Sequence, residues 1–147
     1  MIADTITQKI AEAMKAREEI RLSTLRLLSS ALNYEFIAKQ HKLDEQEEIV
    51  VVRKEAKKRK EAIEAYTKAN ATERAEKEQK ELEILQEFLP PEMSDEELEK
   101  IVIEAISQTK ASSIKDMGKV IGIVMGKTKG TVDGSKVSLL IKSKLLV

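Results

Sequence analysis

Residues 85–97 read Leu85-Gln86-Glu87-Phe88-Leu89-Pro90-Pro91-Glu92-Met93-Ser94-Asp95-Glu96-Glu97. Proline lacks an amide hydrogen and disfavours helical geometry in the residue before it, so Pro90-Pro91 ends the preceding helix. Ser94 followed by Glu97 is the pattern of a capping box, which begins a new helix. The sequence therefore predicts two helical domains, residues 1–90 and residues 91–147, that meet at the prolines.

Upstream of the prolines, apolar residues recur at helical spacing in four segments. The pattern shifts phase at Arg17-Glu18-Glu19, resumes as a stripe that runs to Phe36, and stops at Gln40-His41-Lys42. Asp44 opens a capping-box pattern and a long third helix, and Asn70-Ala71-Thr72 indicates a turn in which Thr72 is the N-cap of the fourth helix. Four helices in series with short turns predict an N-terminal four-helix bundle whose last two helices form an antiparallel hairpin.

Downstream, three shorter helical patterns follow. The first starts after Ser94, the second after Ser112-Ser113, and the third at Asp133-Gly134-Ser135. Gly130 is a natural stop between the second and the third, because glycine favours the conformation that ends a helix. The C-terminal part therefore predicts a three-helix bundle, and the fold class of the whole chain is all-α.

Composition excludes several classes of function. The chain has no cysteine and a single histidine, so disulfides and thiolate zinc sites are excluded, and we expect no metal and no cofactor. No apolar run approaches the roughly 18 residues that a membrane span needs. Residues 1–4 lack the basic and apolar pattern of a signal peptide, which predicts a cytoplasmic protein.

The net charge of zero conceals an asymmetry along the chain. Residues 1–110 hold 19 basic and 24 acidic side chains, whereas residues 111–147 hold 7 basic and 2 acidic ones. A basic C-terminal third indicates a polyanionic partner. The alternative is that lysine only keeps a small bundle soluble.

Candidate catalytic motifs are weak. Gly126-Lys127-Thr128 resembles the end of a phosphate-binding loop, but the glycine spacing is wrong and no strand precedes it. Ser23 and Thr24 lie among leucines, where hydroxyls usually bond back to the helix backbone, and the only base of the right kind, His41, lies in a linker. We therefore expect no catalytic residue and no enzymatic activity from this chain alone.

Two basic segments could contact nucleic acid. The first is the run of residues 53–60, Arg53-Lys54-Glu55-Ala56-Lys57-Lys58-Arg59-Lys60, for which phosphate binding and a solvated face paired with Glu73, Glu76, Glu78 and Glu81 are the two readings. The second lies within residues 115–134. There the candidate nucleic-acid-binding residues are Lys115, Gly118, Lys119, Gly122, Lys127, Lys129, Gly130 and Gly134.

The second segment is the stronger candidate. Glycine in a helix costs about 1 kcal/mol relative to alanine, yet Gly118, Gly122 and Gly126 recur every four residues on one face. A smooth cationic face of this kind could lie against an RNA backbone. The alternative is tight helix packing, which we expect to explain Gly122 at least.

The same segment carries a family resemblance. Ala111-Ser112-Ser113-Ile114-Lys115-Asp116-Met117-Gly118-Lys119-Val120, then residues 127–130 and Asp133-Gly134, resemble the hallmark of the YqeY family. Residues 22–28 resemble its N-terminal segment, and residues 81–90 its middle segment. The sequence departs from the family pattern at Thr131-Val132, where a basic and then a small residue are usual, and at Gly126, where proline is common.

The resemblance implies a fold of four helices followed by three, and a likeness to the tail of the GatB subunit of the tRNA amidotransferase, which contacts tRNA. It predicts a non-catalytic tRNA-binding accessory module linked to amidotransferase or aminoacylation reactions. A protein-interaction adaptor that docks residues 44–89 on a synthetase or amidotransferase is the alternative. The family label of carbon–nitrogen ligase with glutamine as amide donor is a third reading.

Overall fold

The computed structural model describes residues 1–128 and 131–146, and these contain helices and turns but no strand, which confirms the all-α prediction. The chain divides into two compact units, Met1–Leu89 and Pro90–Val147. The helices are α1 (Ile2–Lys15), α2 (Glu19–Lys39), α3 (Glu45–Lys68), α4 (Thr72–Gln86), α5 (Asp95–Thr109), α6 (Met117–Thr128) and α7 (Gly134–Leu145), with a 3₁₀ turn, Ile114–Asp116, before α6. Within the described ranges, no helix has the length and apolar character to cross a membrane.

Short-range capping patterns set the helix starts. The Asp44 carboxylate accepts from the amide of Glu47 at 2.8 Å, and the Glu47 carboxylate accepts from the amide of Asp44 at 3.0 Å, so the predicted capping box is confirmed. Ser94 Oγ accepts from the amide of Glu97 at 3.3 Å and caps α5. Each of these caps uses residues three apart in sequence, which is why sequence alone revealed them.

The prediction that Thr72 caps α4 is wrong, because Thr72 is already helical and Ala71 holds the cap position. Asn70 takes the left-handed conformation that ends α3, and the amide of Ala71 donates to the carbonyl of Tyr66 at 2.9 Å. Asn70 and Ala71 therefore end α3. Helix α4 begins at Thr72, one residue earlier than predicted, and has no side-chain cap.

The N-terminal unit has a leucine and valine core. Its cluster of buried residues comprises Ile6, Leu28, Leu32, Leu43, Val51, Val52 and Leu85. Phe36, predicted on the same apolar stripe of α2, is instead 46% exposed. Past Ala56 no residue of the hairpin is buried until Glu81, so residues 57–80 of α3 and α4, here called the stem, project beyond the core.

A buried carboxylate ties α1 to α3. Glu48 is only 1% exposed, and its two carboxylate oxygens accept from the backbone amides of Ile2 at 2.8 Å and Ala3 at 2.9 Å. These amides belong to the first turn of α1 and have no partner within their own helix. Glu48 therefore caps α1 from 46 positions away along the chain.

The C-terminal unit packs α5, α6 and α7 around aliphatic side chains. Its buried cluster comprises Leu98, Val102, Ala105, Val120, Val124, Val132, Val137 and Ile141. Two ion pairs join α7 to α5, Lys136 with Asp95 and Lys144 with Glu99. Because helices of this length are marginal alone, this shared core holds them.

We expect Glu48→Gln to lower the free energy of unfolding by about 1.5–3 kcal/mol, because the amide retains one acceptor oxygen and loses the charge-assisted bond at the other. Urea unfolding followed by circular dichroism measures the change. Glu61→Gln, which removes a carboxylate from an exposed position of the same helix, is the matched control. Equal stability of the two variants would show that the contact of Glu48 with α1 contributes nothing.

Candidate nucleic-acid interface

The segment before α6 is held by one carboxylate. Asp116 Oδ2 accepts from the amides of Ser112 at 3.1 Å and Ser113 at 3.4 Å, which fixes the turn that leads into α6. From there α6 buries Val120 and Val124 completely against the C-terminal core. One side of α6 therefore packs against the C-terminal core, and the opposite side is exposed to solvent.

The solvent face of α6 is made of glycine. Gly118, Gly122 and Gly126 are all exposed, and a Cβ atom on any of them would meet no atom of residues 1–128 or 131–146 within 4 Å. None of the three has the left-handed backbone that favours glycine. The expectation that tight helix packing explains Gly122 is therefore wrong, because the packed face of the helix lies on the opposite side, at Val120 and Val124.

Two lysines accompany the glycines. Lys119 follows Gly118, Lys115 lies one turn earlier, and both are exposed without an ion pair among the residues that the structure describes. Lys127 is different, because its ammonium lies 3.7 Å from Glu104 on α5. Lys115 and Lys119 are thus exposed residues close to the glycines in sequence, whereas Lys127 has an acidic neighbour.

The rest of the predicted cluster comprises Lys129, Gly130 and Gly134. Lys129 and Gly130 are outside the described residues. Gly134 begins α7 behind its N-cap, Asp133, whose carboxylate accepts from the amide of Ser135 at 3.1 Å. A Cβ at Gly134 would lie 3.9 Å from Cε of Met125, which is an ordinary contact.

The departure at Thr131-Val132 has a packing reason that the sequence did not reveal. Val132 is 5% exposed and belongs to the C-terminal core. Thr131 Oγ1 donates to the carbonyl of Thr128 at 2.6 Å. The family usually has a basic and then a small residue at these two positions. In this chain Thr131 instead forms a local hydrogen bond, and Val132 is buried.

The basic run of α3 is neutralised only in part. Arg59 Nη1 lies 3.0 Å from Glu78 and 3.1 Å from Glu81 of α4. Lys58 pairs with Glu55 on its own helix at 2.9 Å. Lys54, Lys57 and Lys60 are exposed and form no ion pair within the described part of the chain.

Two carboxylates lie close to Arg59, and the pKa of one of them, Glu81, is shifted. Burial raises the pKa of Glu81, and the nearby Glu78 carboxylate raises it further, while Arg59 opposes the change. Glu81 is 5% exposed, so little solvent screens these charges. The guanidinium of Arg59 thus pairs with two acidic side chains, Glu78 and Glu81, at the end of the stem nearest the core.

Other candidate residues take local roles. Ser23 and Thr24 hydroxyls donate to the carbonyl of Ile20 at 3.1 Å and 2.7 Å, the back-bonding expected of them. His41 Nδ1 lies 2.9 Å from the carbonyl of Lys42, and Nε2 lies 3.5 Å from Glu47. Over residues 1–128 and 131–146, no group of three or more histidine, aspartate or glutamate side chains is placed to hold a metal ion.

These features define an all-helical protein whose C-terminal unit presents a glycine face beside lysines. The family model described as "Yqey-like protein" matches residues 3–145, and the chain belongs to that family. The prediction from the sequence motifs is thereby confirmed.

Two curated relatives were found. An uncharacterized protein of Schizosaccharomyces pombe is 33% identical over 90 residues, which cover 61% of this chain and 73% of that protein. The mitochondrial "altered inheritance of mitochondria protein 41" of Vanderwaltozyma polyspora is 29% identical over 119 residues, covering 76% of this chain and 64% of that protein. The match thus spans just under two thirds of the second relative.

Stability should depend on pH through Glu81. Because its pKa is raised in the folded state, its favourable contribution is present below the unfolded pKa of about 4.3 and is lost as the pH rises through the folded pKa. The stability of the wild type relative to Glu81→Gln should therefore fall as the pH rises from acid through the raised pKa of Glu81. Urea titrations across this pH range measure it, with exposed Glu83→Gln as control. A pH-independent difference for Glu81→Gln contradicts the assignment.

Alanine at the middle glycine should stabilise the protein. Gly122→Ala is expected to raise the free energy of unfolding by about 0.5–1 kcal/mol, because the added methyl meets open space and alanine restricts the unfolded chain. Gly134→Ala is the control, since the first residue of a helix gains less from helix propensity. Destabilisation by Gly122→Ala in a thermal or urea melt would mean that a neighbouring group approaches this face after all.

Proposed function

We propose that the chain is a tRNA-binding accessory module, non-catalytic on its own, that contacts RNA through α6 of its C-terminal unit. The observation that carries the proposal is the open glycine face of Gly118, Gly122 and Gly126, with exposed Lys115 and Lys119 close to it in sequence and without an ion pair among the described residues. Family membership supports it, because the family resembles the tRNA-contacting tail of an amidotransferase subunit.

The physical argument concerns the RNA backbone. Phosphates supply most of the affinity in nucleic-acid binding, and lysine is a suitable point-charge partner for them. A helix face without side chains lets sugar and phosphate groups approach its backbone closely, as glycine does in other phosphate sites. The proposed contacts are Lys115, Gly118, Lys119 and Gly122, together with Lys127, Lys129, Gly130 and Gly134.

The setting of this function is also part of the proposal. We infer an N-terminal four-helix bundle, residues 1–90, followed by a C-terminal three-helix bundle, residues 91–147, in a cytoplasmic protein linked to tRNA-dependent amidotransfer or aminoacylation. The C-terminal excess of lysine supports a polyanionic partner for the second bundle.

Docking on a synthetase or amidotransferase through residues 44–89 is the second candidate. One observation favours it: none of residues 57–80 is buried, so the stem offers both helices to a partner. Lys57 and Lys60 on the stem are also exposed and unpaired among the described residues. Variants of these two lysines therefore separate the two candidates.

A filter-binding titration of tRNA at two salt concentrations tests the first candidate. Lys115→Glu with Lys119→Glu should weaken binding about tenfold or more, and should lower the salt slope by roughly 0.7–0.9 for each lost phosphate contact. Lys57→Glu with Lys60→Glu, the same charge change in the other unit, should leave both quantities unchanged. The proposal is wrong if wild-type protein at micromolar concentration shows no salt-dependent binding, or if only the stem variants weaken it.

A further inference from the structure

Helix α2 carries apolar side chains on two sides. One side packs Leu25, Leu28 and Leu32 into the N-terminal unit, each with at most 4% exposure. The other side leaves Leu27 51% and Tyr34 75% exposed. The solvent-facing side of a helix in a soluble protein is usually polar, so exposed Leu27 and Tyr34 are an apolar exception on this side of α2.

The uncovered face forms one wall of a groove between α2 and α3. The groove has a volume of about 390 Å³ and is lined by Leu27, Ala31 and Tyr34 from α2 and by Val51, Lys54 and Lys58 from α3. Leu27 and Tyr34 are seven residues apart, which is two helical turns or about 10 Å. This length and spacing suit the i, i+4 and i+7 anchors of a helix lying in a groove.

The α3 edge of the groove carries exposed lysines. Two carboxylates also line the groove: Glu55 pairs with Lys58 at 2.9 Å, and Glu35 lies 3.9 Å from Lys39, which itself pairs with Glu47 at 2.9 Å. Lys54 forms no ion pair within the described residues, and Lys57 continues the exposed cationic edge one turn further along α3. An occupant with carboxylates beside its apolar face would neutralise these lysines.

We propose that this α2–α3 groove binds an acidic amphipathic helix of a partner protein, with apolar side chains against Leu27 and Tyr34 and carboxylates facing Lys54. A second copy of the chain fits less well, because it would bring the same unpaired lysines to the same place. The proposal stands independently of tRNA binding, which uses the other unit.

The test uses the full chain and two designed peptides of about 18 residues, or five turns. Both peptides have leucine at i, i+4 and i+7; one is flanked by glutamate and the other by lysine. In fluorescence anisotropy, the acidic peptide should bind about tenfold more tightly or better. Leu27→Ser with Tyr34→Ser should remove this binding, and Lys54→Glu should remove the preference for the acidic peptide.

Matched controls come from the other unit. Ile103→Ser changes a side chain that is 51% exposed, and Lys142→Glu reverses an exposed charge, so neither should alter peptide binding. Circular dichroism melts check that each variant is folded, and single-site Tyr34→Ser replaces the double variant if that one is not. The tRNA titration should give wild-type affinity for the groove variants, so failure here and failure of the tRNA proposal are separate results.

Three outcomes would overturn the inference. The first is equal binding of the acidic and the basic peptide, or none. The second is a concentration-dependent dimer in sedimentation that Leu27→Ser with Tyr34→Ser abolishes, which would assign the groove to a second copy. The third is binding to phosphatidylserine vesicles that depends on Leu27 and Lys54 while the acidic peptide fails to compete.

Discussion

The N-terminal unit depends on the capping of α1 by the buried carboxylate of Glu48. A buried carboxylate is costly unless hydrogen bonds replace its hydration, and the amides of Ile2 and Ala3 supply them at 2.8 and 2.9 Å. Glu48 lies in the first turn of α3, immediately before the core residues Val51 and Val52. One side chain therefore fixes the start of α1 to the part of α3 around which the core is built.

In the C-terminal unit, by contrast, the residues on the exposed face of α6 lower the stability of the helix. Three glycines in one helix, Gly118, Gly122 and Gly126, each lose about 1 kcal/mol of helix propensity, and no group of the described residues requires their small size. Natural sequences accept such losses chiefly where function needs them. The completely buried Val120 and Val124 on the inner face hold the helix in place despite this weakness.

Charge organises the hairpin of α3 and α4. Arg59 lies between Glu78 and Glu81, so it joins the two helices where the core ends and the stem begins. Burial and the neighbouring Glu78 raise the pKa of Glu81, so its ionised form is less favourable than that of a solvent-exposed glutamate. In the groove between α2 and α3, Lys54 forms no ion pair among the described residues. The acidic side chains of α4 therefore neutralise only part of the basic run of α3.

The sequence by itself determined the all-helical class and most helix starts, because a cap such as Asp44 with Glu47 acts over three residues. It also identified the family, through motifs that are contiguous in the chain. Only the tertiary structure decided what each helix face contacts: Glu48 on α1 from 46 residues away, the open space beyond Gly122, and the exposure of Phe36. Periodicity gives the faces of a helix, but which face is covered depends on residues distant in sequence.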